Sequence, residues 1–176
     1  MGEHKLHVYT GDGKGKTTAA MGLALRSLGH GRRVLIAQFL KDGRSGELTA
    51  LSALPGAAVF EAEPIEGFVF QMTPEAYARA QQTQRAQAQA LCERIRRDAP
   101  DLIVLDELSV ALHVGMIDEA AARELIGAAL CAGETVVTGR NAPDWLCEMA
   151  DYVSVIRAQK HPFDAQGLPA REGVEW

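Results

Sequence analysis

The sequence predicts a three-layer α/β protein, a mostly parallel sheet with helices on both faces, and three observations carry that expectation. Short β-prone runs alternate with helical stretches along the whole chain, as strands joined by helical crossovers do. Two of those runs, RVLIAQFL at 33–40 and DLIVLDE at 101–107, are apolar almost throughout, as strands covered on both faces must be. The first run, KLHVYT at 5–10, passes straight into a glycine-rich stretch that opens a helix.

Taken in order, 5–10 is the first strand, and 16–30 is a helix rich in Ala and Leu, ended by Gly29 and Gly31. The second strand is 33–40, followed by a polar Gly/Ser turn at 42–46 and a third strand at 57–62. The longest helix is 73–98, with Thr73 as N-cap, Pro74 at its first position and Glu75 in its first turn. The buried strand 101–107 ends in two acids, Asp106 and Glu107. Asp118 caps a helix that runs to Ala132, a strand follows at 135–138, a short helix at 143–150 and a last strand at 152–157. No repeat, low-complexity tract or linker interrupts the chain, so 1–176 reads as one domain around one core.

The bulk properties narrow the function classes. An apolar fraction of 47% and a charged fraction of 23% are those of a soluble globular protein. No apolar run approaches the roughly 20 residues that span a bilayer, and the opening residues hold neither a signal-peptide core nor the Ser or Thr that myristoylation of Gly2 requires. Cytoplasm is the expected compartment. A formal net charge of −5 opposes non-specific nucleic-acid binding, which needs a basic face. Cys92, Cys131 and Cys147 are too scattered for a disulfide frame or a Cys-x-x-Cys metal site, and all three are expected on the core side of helices.

The chemistry concentrates at Thr10-Gly11-Asp12-Gly13-Lys14-Gly15-Lys16-Thr17-Thr18, set between a strand and a helix. That is the context of a phosphate loop, whose glycines let backbone N–H groups converge on phosphate oxygens at a helix N-terminus. Lys16 supplies a full positive charge, and the Thr17 hydroxyl is placed to ligate Mg²⁺. The strict pattern has Gly at position 10, where this chain has Thr10. The ligand implied is a nucleoside triphosphate, ATP with Mg²⁺, on a phosphate-loop, RecA-like version of the three-layer fold. In such sheets ligands sit at the carboxyl ends of the strands, so Asp106 and Glu107 belong beside the loop. Either acid could hold the metal, directly or through water, and the second could instead polarise a water.

A phosphate loop shows binding rather than a reaction. The remaining informative segments are Gln38-Phe39-Leu40-Lys41, Gly67-Phe68-Val69-Phe70, Thr138-Gly139-Arg140 and Lys160-His161-Pro162-Phe163-Asp164. Phe68 and Phe70 are either packing residues in a loop or an exposed apolar floor for a flat ligand. Arg140 is either a surface charge or a phosphate-side residue, and its place at the end of a sheet strand favours the second, whereas His161 alone reads as a satisfied loop histidine.

The set TGDGKGKTTAA, AQFLK, GF-x-F, VLDEL, TGR-x-AP and KHPFD, in this order, resembles the phosphate-loop type of ATP:corrinoid adenosyltransferase over essentially the whole chain. The resemblance implies that the Co(I) of a reduced corrinoid, cobalamin or a precursor, attacks the 5′ carbon of ATP and releases tripolyphosphate. It implies a nucleotide reversed relative to ordinary phosphate-loop ATPases, with Gly11, Asp12, Gly13, Lys14, Gly15, Lys16, Thr17 and Thr18 on the triphosphate. Thr17 and Glu107 become the metal ligands, with Asp106 as the second choice to Glu107. Arg26 matches an arginine near the nucleoside, Arg140 one near the phosphates, and His161 falls in the tail motif of the nucleotide site. Phe68 and Phe70 match an aromatic pair on the lower corrin face that would expel the lower axial ligand of Co(II), and position 70 is Phe where some members have Trp. Some members carry a helical N-terminal arm, where here residues 1–5 precede the first strand. A reduced flavoprotein donor and a homodimer are expected on the same ground. The competing readings are a phosphate-loop ATPase or kinase, with Glu107 activating water, and a nucleotide-dependent corrinoid-binding module.

Overall fold

The computed structural model describes residues 4–41, 45–63, 65, 67 and 69–174, apart from the side chain at 164. Six described strands form one parallel sheet: β1 (Leu6–Thr10), β2 (Val34–Gln38), β3 (Ala57–Val59), β4 (Leu102–Asp106), β5 (Glu134–Thr138) and β6 (Tyr152–Val155), in the order β3-β2-β4-β5-β1-β6. The helices are α1 (Lys16–Gly29), α2 (Gly46–Ser52), α3 (Pro74–Asp98), α4 (Leu108–His113), α5 (Glu119–Ala132), α6 (Asp144–Met149) and α7 (Pro162–Gln166). This is the expected three-layer, phosphate-loop type of sheet.

Two cores result from the period-two alternation of the central strands. Val34 and Ile36 of β2 and Leu102 and Val104 of β4 meet Ala20, Met21, Ala24 and Leu28 of α1 and Leu48 and Leu51 of α2. Their neighbours Leu35, Ala37, Ile103 and Leu105 turn to the other face, against Leu91 and Ile95 of α3 and Leu125 and Ile126 of α5. Every residue of β2 and β4 is buried, which is why each run is apolar up to the polar residue that ends it, Gln38 in β2 and Asp106 in β4. Ile103 is 0% exposed at the middle of the sheet, and its truncation to Ala would cost about 2–5 kcal/mol.

The helix starts follow the expected signals. The Thr73 hydroxyl accepts from Ala76 N at 3.3 Å and Pro74 is the first residue of α3, while the Asp118 carboxylate accepts from Ala121 N at 2.9 Å ahead of α5. Other expectations are revised. The turn expected at 42–46 gives way at Gly46 to α2, and 42–44 lie outside the described residues. β3 has three residues rather than 57–62. The helices α4 and α7, each of a turn or two, were not expected. Of the cysteines, Cys92 is buried and Cys147 half-buried, but Cys131 is exposed, because its position on α5 turns away from the sheet.

The strand order positions the site. β5 lies between β1 and β4, so the loop after β1 and the acids after β4 flank its carboxyl end, where Thr138 and Arg140 emerge.

Candidate nucleotide-binding site

Gly11 has φ +102°, and a Cβ there would sit 2.3 Å from the Ile156 carbonyl oxygen, so only glycine lets the loop pass the chain after β6. Gly13 N donates to that same carbonyl at 2.8 Å and ties the loop down. Gly15, at φ +116°, precedes α1 in the left-handed region. No side chain caps α1 and no acid stands in its first turn, so its leading N–H groups and partial positive charge are left for an anion. Thr10 also serves the structure, since its hydroxyl accepts from Ala142 N at 3.3 Å and joins β1 to the segment after β5.

These elements border a cleft of about 460 Å³, lined by Asp12, Gly13, Lys14, Gly15, Lys16, Thr17, Thr18, Glu107, Val110, Arg140, His161 and Val174. The Lys16 stem is buried, and its Nζ donates to Gly13 O at 2.7 Å, a hydrogen bond across the loop's own concavity. Burial and, next, the neighbouring Arg140 charge lower the Lys16 pKa below the ordinary lysine value. Three cations, Lys14, Lys16 and Arg140, therefore border the cleft together with Glu107, an arrangement that an added polyanion relieves.

The two acids at the end of β4 have different surroundings. Asp106 is 0% exposed. Its Oδ1 accepts from the hydroxyls of Thr17 at 2.8 Å and Thr138 at 2.6 Å, and its Oδ2 from Gln38 Nε2 at 3.0 Å and Lys41 Nζ at 2.8 Å. Those four donors leave it no free direction toward the cleft. Glu107 is only partly buried, lines the cleft and has φ +60°, a left-handed conformation that is uncommon without a Cβ-free residue. Its backbone N–H donates to Thr138 Oγ1 at 3.0 Å, which fixes the turn that aims the side chain. Burial first, and the Asp106 charge second, raise the Glu107 pKa, while Lys41, Lys16 and Arg140 oppose the shift.

The oxygen donors fit Mg²⁺. Because the Thr17 hydroxyl gives its proton to Asp106, its lone pairs remain for a cation, and Glu107 offers a carboxylate on the same cleft. Among the described residues no group of three or more His, Cys, Asp or Glu side chains is placed to hold a metal ion.

Most of the sequence-predicted residues meet here: Asp12, Gly13, Lys14, Gly15, Lys16, Thr17, Thr18, Glu107, Arg140 and His161 all border the cleft, and Gly11 lies in the same loop against Ile156. Through Nδ1, His161 accepts from Phe163 N at 3.3 Å and starts α7. Arg26 is separate from this group. It is exposed in the last turn of α1, about 15 Å along the helix from Lys16 at 1.5 Å per residue. Phe70 is 81% exposed in a 3-10 turn, Val69–Gln71, and does not border the cleft. Phe68 lies outside the described residues. Sequence reasoning gave no role to Thr138, Gln38 and Lys41 around Asp106, although both segments that hold them were singled out; the signal for Gln38 and Thr138 was a polar residue ending a strand of the sheet interior. Val110 and Val174, also on the cleft, had no signal beyond the apolar pattern.

A glycine-rich loop at the end of a parallel strand, a lysine and threonine opening the next helix, and paired acids on a nearby strand define a phosphate-loop nucleotide-binding protein. The family described as ATP:corrinoid adenosyltransferase BtuR/CobO/CobP matches residues 3–176, and the chain belongs to it. The corrinoid adenosyltransferase of Pseudomonas aeruginosa is 35% identical, over 97% of this chain and 83% of its own length. That of Escherichia coli K12 is 32% identical over 96% and 84%, and the corrinoid adenosyltransferase CobA of Salmonella typhimurium is 32% identical over the same shares. No described helix is long and apolar enough to cross a membrane.

Proposed function

We propose that this enzyme moves the 5′-deoxyadenosyl group of ATP onto the Co(I) of a corrinoid and releases tripolyphosphate, in the making or salvage of adenosylcobalamin. The observation that carries the reading is the cleft itself: cations and helix N–H groups for a polyanion, beside a carboxylate and hydroxyl suited to Mg²⁺. Co(I) is itself a strong nucleophile, so what falls to the protein is positioning the 5′ carbon and holding the leaving group. Lys14, Lys16 and Arg140 bind the triphosphate, with the loop from Gly11 to Thr18 around it and His161 at its border. Thr17 and Glu107 hold Mg²⁺, whose charge helps neutralise the departing triphosphate; Asp106 supports Thr17 from behind. Arg26 is assigned to the nucleoside, although its place on α1 separates it from the phosphate cleft, and Phe68 and Phe70 to an apolar floor under the corrin. A single domain, a homodimeric state, a reduced flavoprotein donor and a cytoplasmic setting complete the reading.

Anaerobic turnover with ATP labelled at the 5′ carbon tests it. Label recovered on the corrinoid supports adenosyl transfer. Label remaining in ADP, with free phosphate, assigns the cleft to hydrolysis with Glu107 acting on water, and no turnover assigns it to a nucleotide-dependent binding module.

A further inference from the structure

Two amide side chains lie three residues apart on the buried face of α3. Gln84 is 1% and Gln87 6% exposed, among Ala80, Ala88, Leu91 and Ile95. An amide in such surroundings is costly unless its polar atoms are paired. These two are paired in one chain. Gln84 Oε1 accepts from Leu40 N at 3.3 Å, Gln84 Nε2 donates to Gln87 Oε1 at 2.9 Å, and Gln87 Nε2 donates to Gln38 O at 3.0 Å. The backbone at both ends fixes which way each amide faces, since an N–H can only donate and a carbonyl can only accept.

Both ends of the chain fall on the turn that follows β2. The backbone does not favour that turn by itself, because Leu40 has φ +59°, in the left-handed region. α3 supplies hydrogen bonds on either side of Phe39, which is 0% exposed and whose own N–H donates to Asp106 O at 2.9 Å. An aliphatic pair at 84 and 87 would fill the same face of α3 and leave the turn unheld.

The turn carries the groups that support the nucleotide site. Gln38 Nε2 at 3.0 Å and Lys41 Nζ at 2.8 Å both donate to Asp106 Oδ2, and Asp106 Oδ1 accepts from the Thr17 hydroxyl at 2.8 Å. With one oxygen held from the β2 end, the carboxylate presents the other to Thr17 in one direction. The Thr17 proton follows it, and the Thr17 lone pairs are left toward the cleft.

We propose that Gln84 and Gln87 are positioning residues for the Mg²⁺ and triphosphate site: they fix the turn at 38–41, the turn fixes Asp106, and Asp106 fixes the Thr17 hydroxyl. This rests on Thr17 as a metal ligand in the functional reading and extends its support to a helix that does not border the cleft. Both residues act through others and touch no substrate.

Mg²⁺ titrations of ATP binding, followed by calorimetry without corrinoid, test the inference apart from turnover. Gln84→Leu and Gln87→Leu should each raise the half-saturating Mg²⁺ concentration about tenfold, the lower end of what loss of an outer-shell partner brings. Leu91→Ala, a core truncation further along the same helix, should weaken the fold and leave the Mg²⁺ requirement unchanged. In a Lys41→Met background Gln84→Leu should add little, because the two act in one chain. Reciprocity gives a measurement on the wild-type protein. A turn that sets the metal site must itself be steadied by bound Mg²⁺, so the Leu40 N–H should exchange more slowly with ATP and Mg²⁺ than with ATP and a chelator. Glutamine variants that need no more Mg²⁺ than wild type, a Leu91→Ala shift as large as theirs, or Leu40 exchange indifferent to Mg²⁺ would each overturn the inference and leave the two amides as packing. Thr17→Ala in the same titration keeps this apart from the reading beneath it. An unchanged Mg²⁺ requirement there removes Thr17 as a ligand, whereas a raised one beside unchanged glutamine variants removes this inference alone.

Discussion

Replacing Asp106 by Asn, beside Glu107 by Gln, separates support from chemistry. Asp106 accepts four hydrogen bonds, two on each oxygen. Asn keeps one acceptor and turns the other position into a donor, facing Gln38 Nε2 and Lys41 Nζ. Gln38 can flip its amide only by giving up the hydrogen bond from Ser45 Oγ, now 3.2 Å from its Oε1. Lys41 loses the counter-charge that, against the lowering by burial, holds its pKa above the ordinary lysine value. A lost hydrogen bond to a charged group costs about 1.5–3 kcal/mol, and breaking a fully buried pair about 3–5. The Lys41 side chain is 29% exposed and can rehydrate, so a net loss of about 2–4 kcal/mol is expected, a fall of about 5–15 °C in melting temperature for a chain of this size. Glu107→Gln should do the reverse. A carboxyl whose folded pKa is raised stabilises the fold below its unfolded pKa, and that contribution disappears as pH rises through the folded value. Once pH exceeds the folded value the ionised Glu107 is therefore a cost to the fold, and Gln should then leave the metal-free protein as stable or more so. Its Mg²⁺ requirement should rise by at least the ten- to hundredfold that loss of an outer-shell partner brings. Thermal melts without metal and Mg²⁺ titrations of the rate read both quantities. A raised Mg²⁺ requirement in Asp106→Asn alone, with its melting temperature held within about 2 °C and an early melt of Glu107→Gln, would reverse the two roles.

Lys16→Ala and Thr17→Ala should each lower turnover roughly a hundred- to thousandfold, the usual effect of removing one stabiliser of developing charge; steady-state rates within tenfold of wild type would remove both from the reaction. Gln84→Leu should destabilise by about 2–3 kcal/mol, since Gln84 accepts from Leu40 N at 3.3 Å and donates to Gln87 Oε1 at 2.9 Å in a buried chain that reaches Gln38; denaturant melts check it. The Glu75 pKa is lowered by its own backbone N–H and then by Thr73, so its stabilisation exists above the ordinary carboxylate value and is lost as pH falls through the lowered one; the stability difference between wild type and Glu75→Gln should vanish in acid. Replacing Phe68 and Phe70 together by Ala should spare ATP affinity and melting temperature but slow turnover from Co(II) more than from prepared Co(I); equal losses with an early melt would make them packing residues.

Where a single local rule decides, the sequence was sufficient. The apolar runs 34–37 in β2 and 102–105 in β4, the Thr73 and Asp118 caps and the loop from Gly11 to Thr18 each follow from one residue type in one place. α2 was hidden because it opens on Ser45 and Gly46, which read as turn chemistry, and its apolar residues Leu48 and Leu51 reach the core only through tertiary packing. α4 follows β4 after one left-handed residue, Glu107, with no cap side chain to announce it. The unequal roles of Asp106 and Glu107 were also out of reach, since they depend on Thr17 arriving from the start of α1, Gln38 and Lys41 from the end of β2 and Thr138 from the end of β5. The exposure of β6 had no sequence signal either, because YVSVIR reads like any other buried strand.

The most direct test of the adenosyl-transfer account is phosphorus magnetic resonance of an anaerobic reaction containing the enzyme, Mg²⁺, ATP and a chemically reduced Co(I) corrinoid, with the corrinoid spectrum recorded in parallel. The account predicts intact tripolyphosphate appearing in step with adenosylcorrinoid, one for one. ADP and orthophosphate accumulating while the corrinoid stays unalkylated would contradict it.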